Sequence, residues 1–229
     1  MKTERAKVII LANSKGGCGK SLAAAMVSSE LSNRMSSSIS GRKFRVLICD
    51  SDPQGTSTEW SKASPNGAYP SLAVLNFSAY EEKIHREIQK QIYNYDFIVV
   101  DCASSLLSLA TQSALLISDL AIIPLPPSPG DLWAAFGMKK MIAIAQTINP
   151  GLKAVILPNR VVRTSLSKAI MSELENFGIP LMKSRIFNRT AYQEAVIAGV
   201  SVADLGRDAK PAADEIRALT DEVLELLGE

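Results

Sequence analysis

Cysteine is scarce and unpaired. The chain has three, Cys18, Cys49 and Cys102, at spacings that form no CxxC pair. That argues against a disulfide framework or a structural zinc site and for a reducing compartment. Histidine is scarcer still, and His85, the only one, lies among polar residues of a helical pattern, as a surface residue would. Long apolar runs are missing too: the first, over 8–12, is too short for a signal-peptide core and far below the roughly 20 residues that span a bilayer. The expected location is the cytoplasm. Charge of one sign is also lacking, since 25 Lys and Arg against 23 Asp and Glu leave a formal +2. A chain basic throughout is thereby excluded, and any patch that binds nucleic acid must be local. No internal repeat and no long Pro/Gly/Ser linker divides the 229 residues.

What remains is ordinary globular material, 47% hydrophobic and 21% charged. Short β-branched runs over 7–12, 44–49, 72–76, 97–100, 120–124 and 154–157 read as strands. Helical patterns cover 21–34, 79–93, 105–117, 132–147, 166–177, 191–198 and 212–227, and the Ser-rich stretch 36–41 reads as a solvated loop. Several strands are apolar on both faces, as happens when helices cover both sides of a parallel sheet. The expectation is one α/β domain over 1–229, a doubly wound, mostly parallel sheet.

Directly after the first strand and before the first helix stands Asn13-Ser14-Lys15-Gly16-Gly17-Cys18-Gly19-Lys20-Ser21. The glycines let backbone N–H groups curl around phosphate oxygens, and the helix N-terminus adds donors and a favourable dipole. In a phosphate loop Lys20 reaches the terminal phosphates and the Ser21 hydroxyl ligates Mg²⁺. The usual pattern places a glycine six residues before that lysine, where this chain has Ser14. KGGCGKS instead resembles the deviant Walker A signature of the ParA/MinD family of P-loop ATPases. The resemblance implies ATP contacts from Lys15, Gly16, Gly17, Cys18, Gly19, Lys20, Ser21 and Leu22. It further implies that Lys15 reaches the nucleotide of a second subunit, so that ATP lies sandwiched in a homodimer. Cys18, used through its backbone, is expected to be chemically inert.

Two carboxylates, Asp50 and Asp52, follow the second strand, at the sheet edge where α/β proteins bind ligands. Their motif, DSDPQG, is similar to the family's DxDPQ, which implies that Asp52 orients the hydrolytic water; Asp50 is assigned to the outer shell of Mg²⁺. Asp101 ends the apolar strand 97–100, as an acid that anchors Mg²⁺ through water does. Many ParA-like chains continue there with two prolines, whereas Cys102, Ala103 and Ser104 follow here. The prolines between Ile123 and Asp131 force a stiff loop. That segment resembles the small plasmid class often called ParF-like, which implies that Pro126 lies at the adenine and dimer contact. Asn159, after the last strand, is expected to hydrogen-bond an adenine edge, as the family's asparagine does.

Charge is segregated. Residues 139–189 hold nine cations and two acids, whereas 190–229 hold three cations and nine acids. A local positive surface binds DNA phosphates without reading bases, and Arg160, Arg163, Lys168, Arg185 and Arg189 are its candidates. The last helix is amphipathic but acidic, the wrong sign for anionic lipid. It is expected to pack on the sheet, with no membrane partner. Trp60 and Trp133 read as core or interface anchors. The resemblance implies a partition ATPase with catalytic Lys15, Lys20 and Asp52. Its ATP-bound dimer would sit on nucleoid DNA and be reset when a centromere-binding protein of ParB or ParG type stimulates hydrolysis. A MinD-like positioning factor and a metabolic P-loop enzyme are the other readings.

Overall fold

The computed structural model describes residues 4–36 and 41–229, so most of the Ser-rich stretch lies outside the described residues. Six strands, β1 (Lys7–Leu11), β2 (Val46–Asp50), β3 (Leu72–Asn76), β4 (Phe97–Asp101), β5 (Leu120–Leu125) and β6 (Lys153–Pro158), form one sheet in the order β3-β2-β4-β1-β5-β6. Every pairing is parallel. Side chains alternate between the faces of a strand, so each face carries its own apolar cluster. One cluster joins Val8, Ile10, Leu47, Ile98 and Val100; the other joins Ile9, Leu11, Val46, Ile48 and Val99. The central strands β2, β4 and β5 are buried throughout, which is why their sequences show no polar alternation.

Eight α-helices cover the sheet among the described residues: α1 (Lys20–Asn33), α2 (Thr56–Ala63), α3 (Ile84–Gln91), α4 (Leu109–Leu115), α5 (Pro129–Ile148), α6 (Ser165–Glu175), α7 (Thr190–Ala198) and α8 (Lys210–Leu227). Residues of α3, α4, α5 and α6 build the first cluster, and those of α1, α2, α7 and α8 the second. The doubly wound expectation therefore holds. α8 buries Ile216, Leu219 and Val223 against the second cluster and leaves Asp221 and Glu225 exposed, while Glu215 and Glu222 accept backbone N–H groups of residues 183, 184 and 187. Its end is pinned where Lys153 Nζ donates to the Leu226 carbonyl at 2.6 Å.

Three helical expectations need correction. The pattern over 79–93 splits into a 3₁₀ segment, Ser78–Lys83, and α3, because Glu81 takes a left-handed φ of 41° and only Ile84 and Ile88 reach the core. The pattern over 105–117 shrinks to α4, whose start is fixed by the Ser108 side chain accepting from the Thr111 N–H. α2, unforeseen, begins after Gly55 with no local side-chain cap. Its first turn is held by Asp50, which accepts from the Thr58 N–H at 2.8 Å and hydroxyl at 2.7 Å. α5 leaves Trp133, Phe136, Ile144 and Ile148 exposed. Trp60, by contrast, is buried.

α2 and α7 meet at their C-terminal ends. Gly199 closes α7 at φ 65°, and a Cβ there would stand 2.3 Å from the Ala63 carbonyl carbon and from the Ser64 nitrogen. Trp60 of α2 donates to the Val200 carbonyl at 3.3 Å and stacks on Tyr69, whose hydroxyl donates to Asp204. Gly199→Ala should therefore destabilise the fold by at least ~2 kcal/mol, combining backbone strain with an unavoidable clash. Urea denaturation measures this, and a loss below half that value would contradict the tight helix contact.

Candidate functional site

The strand order delivers the ends of β1, β2 and β4 to one edge of the sheet, the place where parallel α/β sheets bind ligands. The glycine-rich loop leaves β1 there and enters α1. Two asparagines brace it. Asn13 donates to the Pro124 carbonyl at 2.8 Å and accepts from the Lys15 N–H at 3.2 Å. Asn159, fully buried, donates to the Cys18 carbonyl at 2.6 Å and accepts from the Arg160 N–H at 2.9 Å. Gly19 has φ 93°, and a Cβ there would stand 2.1 Å from the Asn159 amide nitrogen. Glycine at this position is thus dictated both by backbone conformation and by its brace. Asn159 thus braces the loop from beneath. Arg160, which follows, takes φ 52°, the kind of backbone strain that concentrates at functional sites.

Inside the loop Lys20 is 95% buried by surface area, and its ammonium donates to Ser104 Oγ at 2.6 Å and to the Lys15 carbonyl at 3.3 Å. Cys18 is buried as well. Its thiol is pushed up by burial, so the helix dipole does not make it a thiolate and the expected inertness agrees. Lys15 points outward, half-exposed, and its Nζ lies 2.8 Å from Asp131 Oδ1. Asp131 is buried in the first turn of α5, where it also accepts from the Ser128 hydroxyl. The family-like signature lysine is therefore held by an acid of its own chain. Pro126, half-buried one residue past β5, leads into this turn and accepts from the Ser128 N–H at 2.8 Å.

The carboxylates divide unequally. Asp50 and Asp101 are paired residues of β2 and β4, and both are fully buried. Asp50 is engaged by Thr58 through one oxygen and by the Asp52 N–H at 3.3 Å through the other. Asp50 thereby caps α2, a task that its expected place in an outer metal shell would have to share. Asp101 accepts from the Ser57 hydroxyl at 2.7 Å through Oδ2, but its Oδ1 has no partner. Burial raises Asp101 to about 7, with the Ser57 and Ser21 hydroxyls pulling the other way. A buried carboxylate oxygen without a donor, beside the Ser21 hydroxyl, fits a Mg²⁺ ion that draws its other ligands from phosphates and water. Among the described residues no group of three or more His, Cys, Asp or Glu gathers to hold a metal, so such an ion depends on the nucleotide. Asp52, half-buried, folds its Oδ1 onto the Gln54 N–H at 2.9 Å.

Beside the loop opens a cavity of about 410 Å³ lined by Leu22, Asn159, Phe187, Asn188, Tyr192 and Ile197 among others. Its size suits a nucleobase. Leu22 and Asn159 were anticipated at the nucleotide, while Phe187 and Asn188 carry no signature that sequence could offer. Of the five expected DNA contacts, Arg160, Arg163, Lys168 and Arg185 are exposed. Arg189 is corrected: it forks onto Glu215 at 2.8 and 2.6 Å and lies over the Phe187 ring. Ser104 and Asp131 are the two contacts to the loop lysines that sequence reasoning missed.

Comparison with known proteins gives the family and the fold. The family model described as "CobQ/CobB/MinD/ParA nucleotide binding domain" matches residues 9–202. The chain is 34% identical over 225 residues to the "Maintenance of carboxysome distribution protein A" of Halothiobacillus neapolitanus, covering 98% of this chain and 99% of that one. In fold it resembles Cyanothece McdA in complex with ATP, with TM-score 0.79, 14% identity and coverage of 97% and 96%. It also resembles a plasmid partition protein from Borrelia burgdorferi, with TM-score 0.67, 18% identity and coverage of 97% and 99%.

The raised Asp101 carboxyl predicts a pH dependence. Unfolded, this acid ionises near its ordinary value of 3.8; folded, it keeps its proton to about 7. Between those values the folded chain holds more protons than the unfolded one, so its stability falls as pH rises from about 4 to about 7. With nucleotide and Mg²⁺ removed, Asp101→Asn should flatten that slope and stabilise the chain near neutrality. Equal slopes in urea denaturation would refute the assignment.

Proposed function

The chain is a P-loop ATPase of the CobQ/CobB/MinD/ParA family, and from that premise we propose that Mg²⁺-ATP closes two copies of it into a dimer that spaces a cellular cargo along DNA. The observation that supports this most is the pair of loop lysines. Lys20 is buried among loop atoms with an ammonium ready for terminal phosphates, while Lys15 stands half-exposed on a single exchangeable ion pair. Only the lysine end of that pair reaches solvent, Asp131 being buried, so a second subunit's triphosphate, with more negative charge, would have to win Lys15 from a buried carboxylate. Ser21 and Asp101 would hold the Mg²⁺, which shields phosphate charge. Asp52 would orient the attacking water through the oxygen that its own turn leaves free. Gly16, Gly17, Cys18 and Gly19 would bind phosphates through their N–H groups.

The resulting dimer binds duplex DNA through phosphates, with Arg160, Arg163, Lys168 and Arg185 as the exposed cations. Its reset depends on a partner that stimulates hydrolysis. The cargo follows the stronger similarity: 34% identity across nearly the whole chain to a carboxysome distribution protein favours a protein-shelled body over a plasmid. Plasmid or chromosome partition with a ParB- or ParG-like partner is the second reading, supported by likeness of fold to the Borrelia plasmid partition protein. A MinD-like attachment to membrane has less support, because α8 is acidic and packs its apolar side inward. No described helix is long and apolar enough to cross a membrane.

Sedimentation and fluorescence anisotropy on random duplex test the cycle together. Wild type with ATP should dimerise and bind duplex at low salt, and ADP should support neither. Lys20→Ala should lose ATP binding, Lys15→Ala should bind ATP as a monomer, and Asp52→Ala should accumulate DNA-bound dimers. ATP-dependent dimers of undiminished stability in Lys15→Ala would overturn the trans role of that lysine.

A further inference from the structure

The segment after β4, residues 102–108, is fastened to the phosphate loop at a single side chain. Ser104 Oγ accepts from Lys20 Nζ at 2.6 Å, against 3.3 Å for the Lys15 carbonyl and 3.9 Å for Cys18 Sγ. The same hydroxyl lies over the first glycine, 3.8 Å from where a Cβ on Gly16 would stand. A serine hydroxyl accepts and donates at once, and among the described residues this one makes no hydrogen bond as a donor. Its oxygen is therefore engaged by the lysine that meets terminal phosphates, while the residue itself is exposed and its hydroxyl proton faces the solvent side of the loop, where a bound phosphate would lie.

We propose that Ser104 is the residue by which this chain distinguishes a nucleoside triphosphate from a diphosphate. Its oxygen stays on Lys20 while its hydroxyl proton is donated to the terminal phosphate. A diphosphate, lacking that group, leaves the proton without its acceptor. The inference rests on the reading of the loop as an ATP site and deepens it. The signal has a path outward. Two residues on, Leu106 lies against Gly137 of α5, within 3 Å of where a Cβ on that glycine would stand. Leu106 also lines an apolar cavity of about 580 Å³ between α4 and α5. The segment that senses the phosphate thus also walls a surface cavity remote from it.

Isothermal titration calorimetry with Mg-AMPPNP and with Mg-ADP tests this on the full chain and on Ser104→Ala and Ser104→Thr. A hydrogen bond to a charged group predicts that Ser104→Ala weakens AMPPNP binding about tenfold or more. ADP affinity should stay within about twofold, which also shows that the loop is intact. Ser104→Thr, which keeps the hydroxyl, should restore the triphosphate preference. Equal loss for both nucleotides, an unchanged ratio, or tighter AMPPNP binding in Ser104→Ala would each overturn the proposal. A wild-type chain that bound neither nucleotide would overturn the ATP-site reading itself, and this one with it.

Discussion

A carboxylate oxygen shut away from water with no donor to meet it is the constraint around which the site is arranged. Asp101 Oδ1 is in that position, and the two strands that enclose it leave the carboxylate no route to solvent. Left alone, such a group holds its proton, as its raised value of about 7 expresses. A divalent cation removes the penalty, and phosphate oxygens bring that cation. With Asp101 as the proposed Mg²⁺ ligand, a bias toward the loaded site would thus come from β-sheet geometry before any ligand contact is counted.

The loop is preorganised by neutral groups and tethered by charged ones. Asn13 and Asn159 hold its backbone from β5 and β6, through bonds of 2.8 and 2.6 Å that no phosphate competes for. The lysines, by contrast, rest on single side-chain partners: a serine hydroxyl for Lys20 and the buried Asp131 carboxylate for Lys15. Shape is kept while charge is free to rearrange, the division that rapid capture of an anionic ligand requires.

Much of this was legible in the sequence, for identifiable reasons. The strands announced themselves because β2, β4 and β5 are buried on both faces and are apolar throughout except for the acids that end β2 and β4. KGGCGKS was legible because a phosphate cradle needs consecutive glycines at fixed spacing. What escaped was long-range pairing. α2 was missed because its cap, Asp50, belongs to a strand and not to the helix's own first turn. Ser104 and Asp131 were ordinary residues in a chain of letters, and each acquires its meaning only where it meets a lysine from a loop far away in sequence. The bracing role of Asn159 escaped too, since sequence cannot tell that an amide beside a cavity also holds the loop's backbone. Arg189 was counted as free for the same reason, its acid lying on α8.

The seam between α2 and α7 carries a thermodynamic obligation. One end of that joined body begins at the Asp50 and Asp52 turn, and the other lines the base-sized cavity through Tyr192 and Ile197. Because Gly199 leaves no slack between the helices, a displacement at either end is transmitted to the other. Linkage then requires reciprocity: whatever factor the bound base contributes to the posture of the aspartate turn, that turn must return to the grip on the base. The coupling would then be read in binding alone, as a base affinity that changes with the conformation of that turn.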